Sequence, residues 1–484
     1  MRPVTLIRFA VFLFAGLLLV GGAGLAWGFF AVFREDTTRN SKDITIRLPI
    51  ERAVIEKQYV PVEGELTLGS GTPSPIPGNW SQFRGENRDG ISTETMPLRR
   101  NWTEEQPPPV LWELPLGEGY AGFAVRNGRV YILDYDEPNQ RDALRCLSLD
   151  DGQEIWRFSY PVRIKKNHGM SRTIPAVTDQ YCVSLGPKCH VLCVDAFTGE
   201  EKWLIDLRHV YGTTEPDWYA GQCPLIVVLP GNDPTNGDKP SAIIAPAGPE
   251  VLMVALDCET GEEVWRAPNP HGWVMSHASI APMTLDGQLT FVYFSGAGVA
   301  GVRAADGEIL WSMTGLNVGL ASCPSPVILS ENRIFCSGGY YVGSIMLQIA
   351  PDAQTGKYNA LTLFRLQDTI FDSEQQTPIY YDGHIFGLRQ HDKRFVCLDT
   401  GGKIVWESRR TDKFGSGPYI IADGMLLILD DNGTLTGCEA TSTGYRKLFD
   451  VQIMDGGCCW APMAIVQGRL LLRDQVLMKC IDMR

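Results

Sequence analysis

From Trp80 onward the chain is written in short runs of β-branched and aromatic residues, broken by Gly, Asp, Asn and Pro. No long stretch keeps a 3.6-residue apolar period with helix caps, so the pattern predicts strands throughout. The runs come in groups. Each group reads as two strands, a connection, a third strand, a tight turn and a fourth strand, as in "IPAVTDQYCVSLGPKCHVLCVDAFTGEEKW". An aromatic residue closes each unit: Trp112, Trp156, Trp203, Trp265, Trp311, Phe364, Trp406 and Phe449, at intervals of 42 to 62 residues. Four antiparallel strands at such a period describe a propeller blade. The widest interval, before Trp265, holds the polar insertion "LPGNDPTNGDKPSA", expected between strands at the rim.

The turn ahead of each aromatic has a physical reading. Asp195, Asp257 and Asp399 end the third strand, where a carboxylate can accept hydrogen bonds from turn amides. Gly199, Gly261, Gly307 and Gly402 can supply the positive φ that closes the hairpin. The tryptophan that follows offers a flat face for packing between neighbouring sheets. These residues are expected to be scaffold, with Ser148 and Arg303 replacing the turn Asp in two units. Two loose ends set the blade number. The chain stops just after Asp482, where a fourth strand is due, while Trp112 in "PVLWELPL" has no three strands ahead of it. Joining the two predicts an all-β, eight-bladed propeller over 109–484 with its edges hidden.

Ahead of the propeller, Phe9–Phe33 is a run of 25 residues without a charge. As a helix it spans roughly 37 Å, more than the ~30 Å hydrocarbon core of a bilayer. Residues 1–34 are therefore expected to be an uncleaved membrane anchor, with signal cleavage near Ala26 as the alternative. Residues 35–79 read as an extended, poorly ordered linker and 80–108 as a lead-in to the first blade.

Composition narrows the function classes. A formal charge of −13 argues against a nucleic-acid partner, and there is no basic run or Cys/His finger. The 13 cysteines do not form a framework: Cys146, Cys193, Cys397 and Cys480 fall at one repeat position and read as small buried apolar residues.

The Asp-x-x-Thr-Gly-x-x-x-Trp units, with "NWSQFRGENRDGIS" at 79–92, resemble the pyrroloquinoline-quinone-like propeller repeat family and the lead-in of its planctomycete-type members. That family includes quinoprotein dehydrogenases, which hold the quinone and a calcium ion in the central channel, and non-enzymatic propellers of the BamB type. The resemblance implies export beyond the cytoplasmic membrane. No Glu/Asn/Asp calcium set aligns onto this chain, and the haem signature Cys-x-x-Cys-His is absent.

In a propeller the segments joining one blade's fourth strand to the next blade's first strand gather at one channel mouth. Here they bring His168, Arg172, Trp218, Tyr219, Trp273 and His277 together with Glu374, Gln375 and Trp460 as candidate ligand-binding residues. Cys458 and Cys459 join them because quinoprotein alcohol dehydrogenases carry a vicinal disulfide beside the quinone, though in another part of the chain; two neighbouring thiols are expected. Asp372 and Glu374 are a candidate acid–base pair. "GAGVAG" at 296–301 sits between strands and is not a dinucleotide loop. With no complete catalytic or metal set, the expected function is an extracytoplasmic binding or scaffolding module for a protein or envelope polymer. No cofactor is expected on that reading. The alternative is a dehydrogenase using pyrroloquinoline quinone and calcium.

Overall fold

A computed structural model of the protein describes residues 60–230, 239–354 and 356–484. The anchor expected at 1–34 lies outside these residues, as does most of the polar insertion. Among the described residues no helix is long and apolar enough to cross a membrane.

Eight antiparallel sheets follow one another along the chain, each ordered first to fourth strand. The first blade comprises Ala124–Arg126, Arg129–Asp136, Arg141–Ser148 and Glu154–Pro161. The sixth shows the same plan in its shortest form, Ile379–Tyr381, His384–Leu388, Phe395–Asp399 and Ile404–Glu407. Many of the hairpins joining first to second strands turn on residue pairs that both have positive φ, Asn127-Gly128, Asp382-Gly383 and Asp423-Gly424 among them.

The eighth blade closes the ring. Ala464–Val466, Arg469–Arg473 and Leu477–Asp482 supply three strands, and Val110–Pro115 from the start of the propeller supplies the fourth. Trp112 pairs with Cys480 in that ladder. Arg473, 1% exposed, secures the junction by donating to the carbonyls of Gly117 and Ala121 at the entry to blade one.

Why one turn recurs is visible at four of the blade boundaries. A Cβ added to Gly152, Gly199, Gly261 or Gly307 would lie 2.6–2.7 Å from the tryptophan of the preceding blade, namely Trp112, Trp156, Trp203 and Trp265. Only glycine combines that close approach with the left-handed φ of 72–79° found there. The ring nitrogens of Trp112, Trp203, Trp265 and Trp406 donate to carbonyls of the next blade's turn at 2.8–3.0 Å. Trp156 lacks such a bond; the carbonyl of Ala196 in the next turn is taken by the Tyr131 hydroxyl. Within each ladder the residue opposite the aromatic is small in most blades: Cys146, Cys193, Ala255, Gly301, Cys397, Gly437 and Cys480. A Cβ on Gly301 would sit 2.2 Å from Trp311. The repeated cysteines are therefore spacers, and all thirteen are free thiols.

The turn carboxylates act as expected. Asp195 accepts from the amides of Phe197 and Thr198, and Asp257 from those of Glu259 and Thr260. Asp399 does the same for Gly401 and Lys403, and Asp482 for Arg484. Where Arg303 replaces the Asp, its backbone carbonyl still receives Gly307 at 2.9 Å, and its side chain pairs with Asp306.

Two features depart from the sequence reading. Within the expected linker, Glu65–Leu68 is a strand that adds to the outer edge of blade one, pairing Leu68 with Trp156. Residues 69–80 then follow that blade, with Ser74 bonded to Gly128 and Asp150, so the segment is docked and not loose. An alternation in "ELTL" meets an open sheet edge there, and pairing removes it. The second is a five-residue helix, Leu207–Tyr211, capped by Asp206 in the connection between blades two and three.

Candidate functional site

The segments entering each blade's first strand enclose a cavity of about 270 Å³. Its walls come from seven of the eight inter-blade connections: Tyr120, Arg172, Trp218, His277, Cys323, Glu374 and Trp460 each represent one. The lead-in forms its floor. The segment 80–91, which contains "QFRGENRDG", lies along the first strands, meeting some within the strand and others at the entry. Trp80 pairs with Val125, Ser81 accepts from Val177, and Ile91 bridges to Ile421. Arg84 donates to the carbonyls of Thr377 and Pro378, and Arg88 to that of Pro224. Phe83 rises from this segment to line the cavity. The channel is thus open at the mouth and closed by the lead-in behind it.

Local backbone strain marks the same place. His168, Trp218, Tyr219, Tyr340, Tyr341 and Cys458 all have φ between 51° and 72°. None of these is a hairpin Asn-Gly or Asp-Gly position, and an aromatic residue in the left-handed region costs of order 1 kcal/mol. Arg172 holds two of these turns in place. Its Nε donates to the carbonyl of Trp218, and its Nη2 to those of Asn167, His168 and Gly169. Opposite, Tyr120 stacks on Trp460 with centroids 5.3 Å apart and planes 20° apart. Trp460 Nε1 donates to Asp431 at 2.7 Å, and Gln475 donates to the Tyr120 hydroxyl at 2.7 Å.

Of the residues singled out from sequence, His168, Arg172, Trp218, His277, Glu374, Gln375 and Trp460 line the cavity. Tyr219 turns away, donating its hydroxyl to the Lys165 carbonyl beneath the Lys188 ammonium. Trp273 is buried in the blade core, its backbone clasped by the Asn269 side chain and its ring stacked on His271. Cys458 is half-buried behind Tyr120, and Cys459 is buried with its thiol on the Gly456 carbonyl. Asp372 lies beneath the mouth, accepting from the Tyr341 amide. Sequence reasoning missed Phe83, Tyr120, Tyr340, Cys223 and Cys323. Four of them sit in or beside an inter-blade segment or the lead-in, and Tyr340 sits in the loop joining the second and third strands of blade five, but nothing in their immediate neighbours distinguishes them.

The charges are mostly balanced. Glu374 pairs with the Lys393 ammonium at 3.0 Å. Burial, reinforced by the nearby Arg172 charge, lowers the His277 imidazole to about 4, so it is neutral at physiological pH. Its ring fits because Gly221 faces it; a Cβ there would come within 2.4 Å. Burial pushes the Cys323 thiol up to about 12, which makes it a poor nucleophile.

Just behind Arg172, the fully buried Asp142 accepts from Tyr160 at 2.7 Å and Ser171 at 3.4 Å. Burial outweighs both bonds and raises this carboxyl to about 7. The folded state therefore keeps a proton that the unfolded chain releases near pH 4. Stability from this group is full below pH 4, falls as pH rises to about 7, and is flat above. Asp142→Asn is expected to be more stable than the parent at pH 8, by about 1–3 kcal/mol, with little difference at pH 4.5. Urea unfolding at the two pH values checks this; parallel losses in both chains would contradict it.

A calcium ion takes about six to eight oxygen ligands. The cavity wall offers the carboxylate of Glu374, already paired, and among the described residues no three of His, Cys, Asp and Glu gather as a metal-holding group. The donor set does not fit a calcium-quinone pair.

A family model described as outer membrane protein assembly factor BamB matches residues 108–214 and 140–399. No curated protein matches the chain. Among solved structures, BamB from Moraxella catarrhalis is similar over 77% of this chain and 99% of its own, at 14% identity and a TM-score of 0.50. A europium-containing methanol dehydrogenase is similar over 82% of this chain and 89% of its own, at 12% identity and a TM-score of 0.56. At such identities the structures share the fold alone. With more than half its length matched by that model and its eight blades built on the repeat, the chain belongs to the pyrroloquinoline-quinone-like, BamB-related propeller family.

Proposed function

We infer that the protein is a non-catalytic binding propeller. Its mouth receives a small ligand, and the surrounding loop face meets a protein or envelope-polymer partner. The apolar run at 9–33 would hold this body at the extracytoplasmic face of a membrane. One observation carries the reading: seven inter-blade segments, several in strained left-handed turns, converge on one closed-bottomed, aromatic-walled cavity. Strain of that kind persists only where the surroundings enforce it, and it concentrates at binding sites. Against catalysis stand the paired Glu374, the neutral His277 and the high Cys323 thiol, which leave no assembled acid–base or nucleophilic set at the wall.

The dehydrogenase reading makes the opposite forecast, and one experiment separates them. Purified full-length protein is incubated with pyrroloquinoline quinone and calcium, then assayed for dye-linked oxidation of alcohols and sugars. No turnover and no shift in melting temperature are expected. Tight quinone uptake with turnover would replace the binding propeller by an enzyme.

A further inference from the structure

Resting on that reading of the mouth, we propose that its ligand is a planar organic monoanion, held without a metal ion by the Arg172 guanidinium and the face of the Tyr120–Trp460 pair. Arg172 spends Nε and Nη2 on neutral backbone carbonyls, and no bond within the described residues occupies Nη1. No carboxylate among the described residues lies within 4.0 Å of it to form an ion pair. Arg145 and Arg389 are matched by carboxylates, whereas Arg84, Arg88 and Arg473 are, like Arg172, enclosed on backbone carbonyls without an ion pair among the described residues; Arg172 differs from these three in lining the cavity. Glu374, the carboxylate on the wall, is neutralised by Lys393. The wall therefore carries one uncompensated positive charge in a partly desolvated cavity, which a single negative charge would relieve.

Shape supplies the second half. The Tyr120–Trp460 stack makes one flat side, Trp218 faces the same space, and Phe83 closes the floor. The guanidinium itself lies 5.3 Å over the Tyr120 ring, so an anion at Nη1 is placed at the edge of that flat side. The Arg172 bonds to Trp218 and His168 fix the guanidinium from within the protein. Binding then needs little reorganisation. A volume of about 270 Å³ suits a one- or two-ring body and is at the small end of ligand pockets.

Calorimetric titration of the full-length protein with 2-naphthoate, its neutral isostere 2-naphthamide, and acetate tests both halves. Naphthoate is expected to bind about tenfold or more tightly than the amide, since a charge-assisted bond replaces a neutral one. It is also expected to bind more tightly than acetate, which lacks the plane. Arg172→Met should erase the preference for naphthoate over the amide. Because that change also frees the turns at His168 and Trp218, the comparison of ligands on the unaltered chain is decisive by itself. Equal affinity for the amide, or no uptake of naphthoate, would overturn the proposal. A chain that ignores naphthoate yet stays inert with quinone and calcium would lose this proposal only, whereas quinone-dependent turnover would remove the reading beneath it.

Discussion

A Trp112→Ala chain is expected to lose about 3–5 kcal/mol of stability and to melt with reduced cooperativity. Trp112 sits on the one strand that joins the two ends of the propeller. Its ring is 8% exposed, rests on Gly152 of blade one, and donates to the Leu149 carbonyl at 3.0 Å. Truncation leaves a cavity between blades eight and one and removes one of the two donors to the Leu149 carbonyl, which keeps Arg469, so the cost falls on the closure itself. Thermal and urea unfolding followed by tryptophan fluorescence checks the loss. Trp218→Ala makes the comparison: its ring is half-buried at the mouth and should cost about 1 kcal/mol or less.

The second large effect is expected at Arg84. Burial pulls this guanidinium down to about 10, yet it stays charged and donates to the carbonyls of Thr377, Pro378, Asp89 and Arg88. It ties the lead-in to blade six across the back of the channel. Arg84→Ala should cost about 3 kcal/mol, because several enclosed carbonyls lose their donor at once. It should also detach the floor. Limited proteolysis is expected to cut within 80–92 in this variant and not in the parent. Arg100→Ala, exposed and paired among the described residues only with Asp423, should change stability by less than about 0.5 kcal/mol.

The architecture was legible because it is repetitive. In most blades the Gly of the turn lies against the neighbour's aromatic ring and a small residue faces that ring across its own ladder, so the packing rule is printed several times along the chain. Closure was legible for a related reason: "PVLWELPL" and "VLMKCIDM" each lacked what the other held. The mouth was legible only as a set of segments. Which side chains in a segment point inward depends on local backbone choices that sequence patterning does not encode. Trp273 and Trp218 look alike in sequence, but the Asn269 amide folds the first into the core, while Arg172 props the second against the cavity. Phe83 was hidden for a different reason, since a Gly- and Pro-rich approach to "QFRGENRDG" reads as a linker until its bonds to blades three and six are seen.

The most direct test of a closed ring with one working mouth is a crystal structure of the full-length protein grown with 2-naphthoate. Density for the ring against Tyr120 and Trp460, its carboxylate at Arg172 and the lead-in still sealing the channel behind Phe83 is the expected result. A ligand bound elsewhere, or a channel open from end to end with the lead-in displaced, would contradict it.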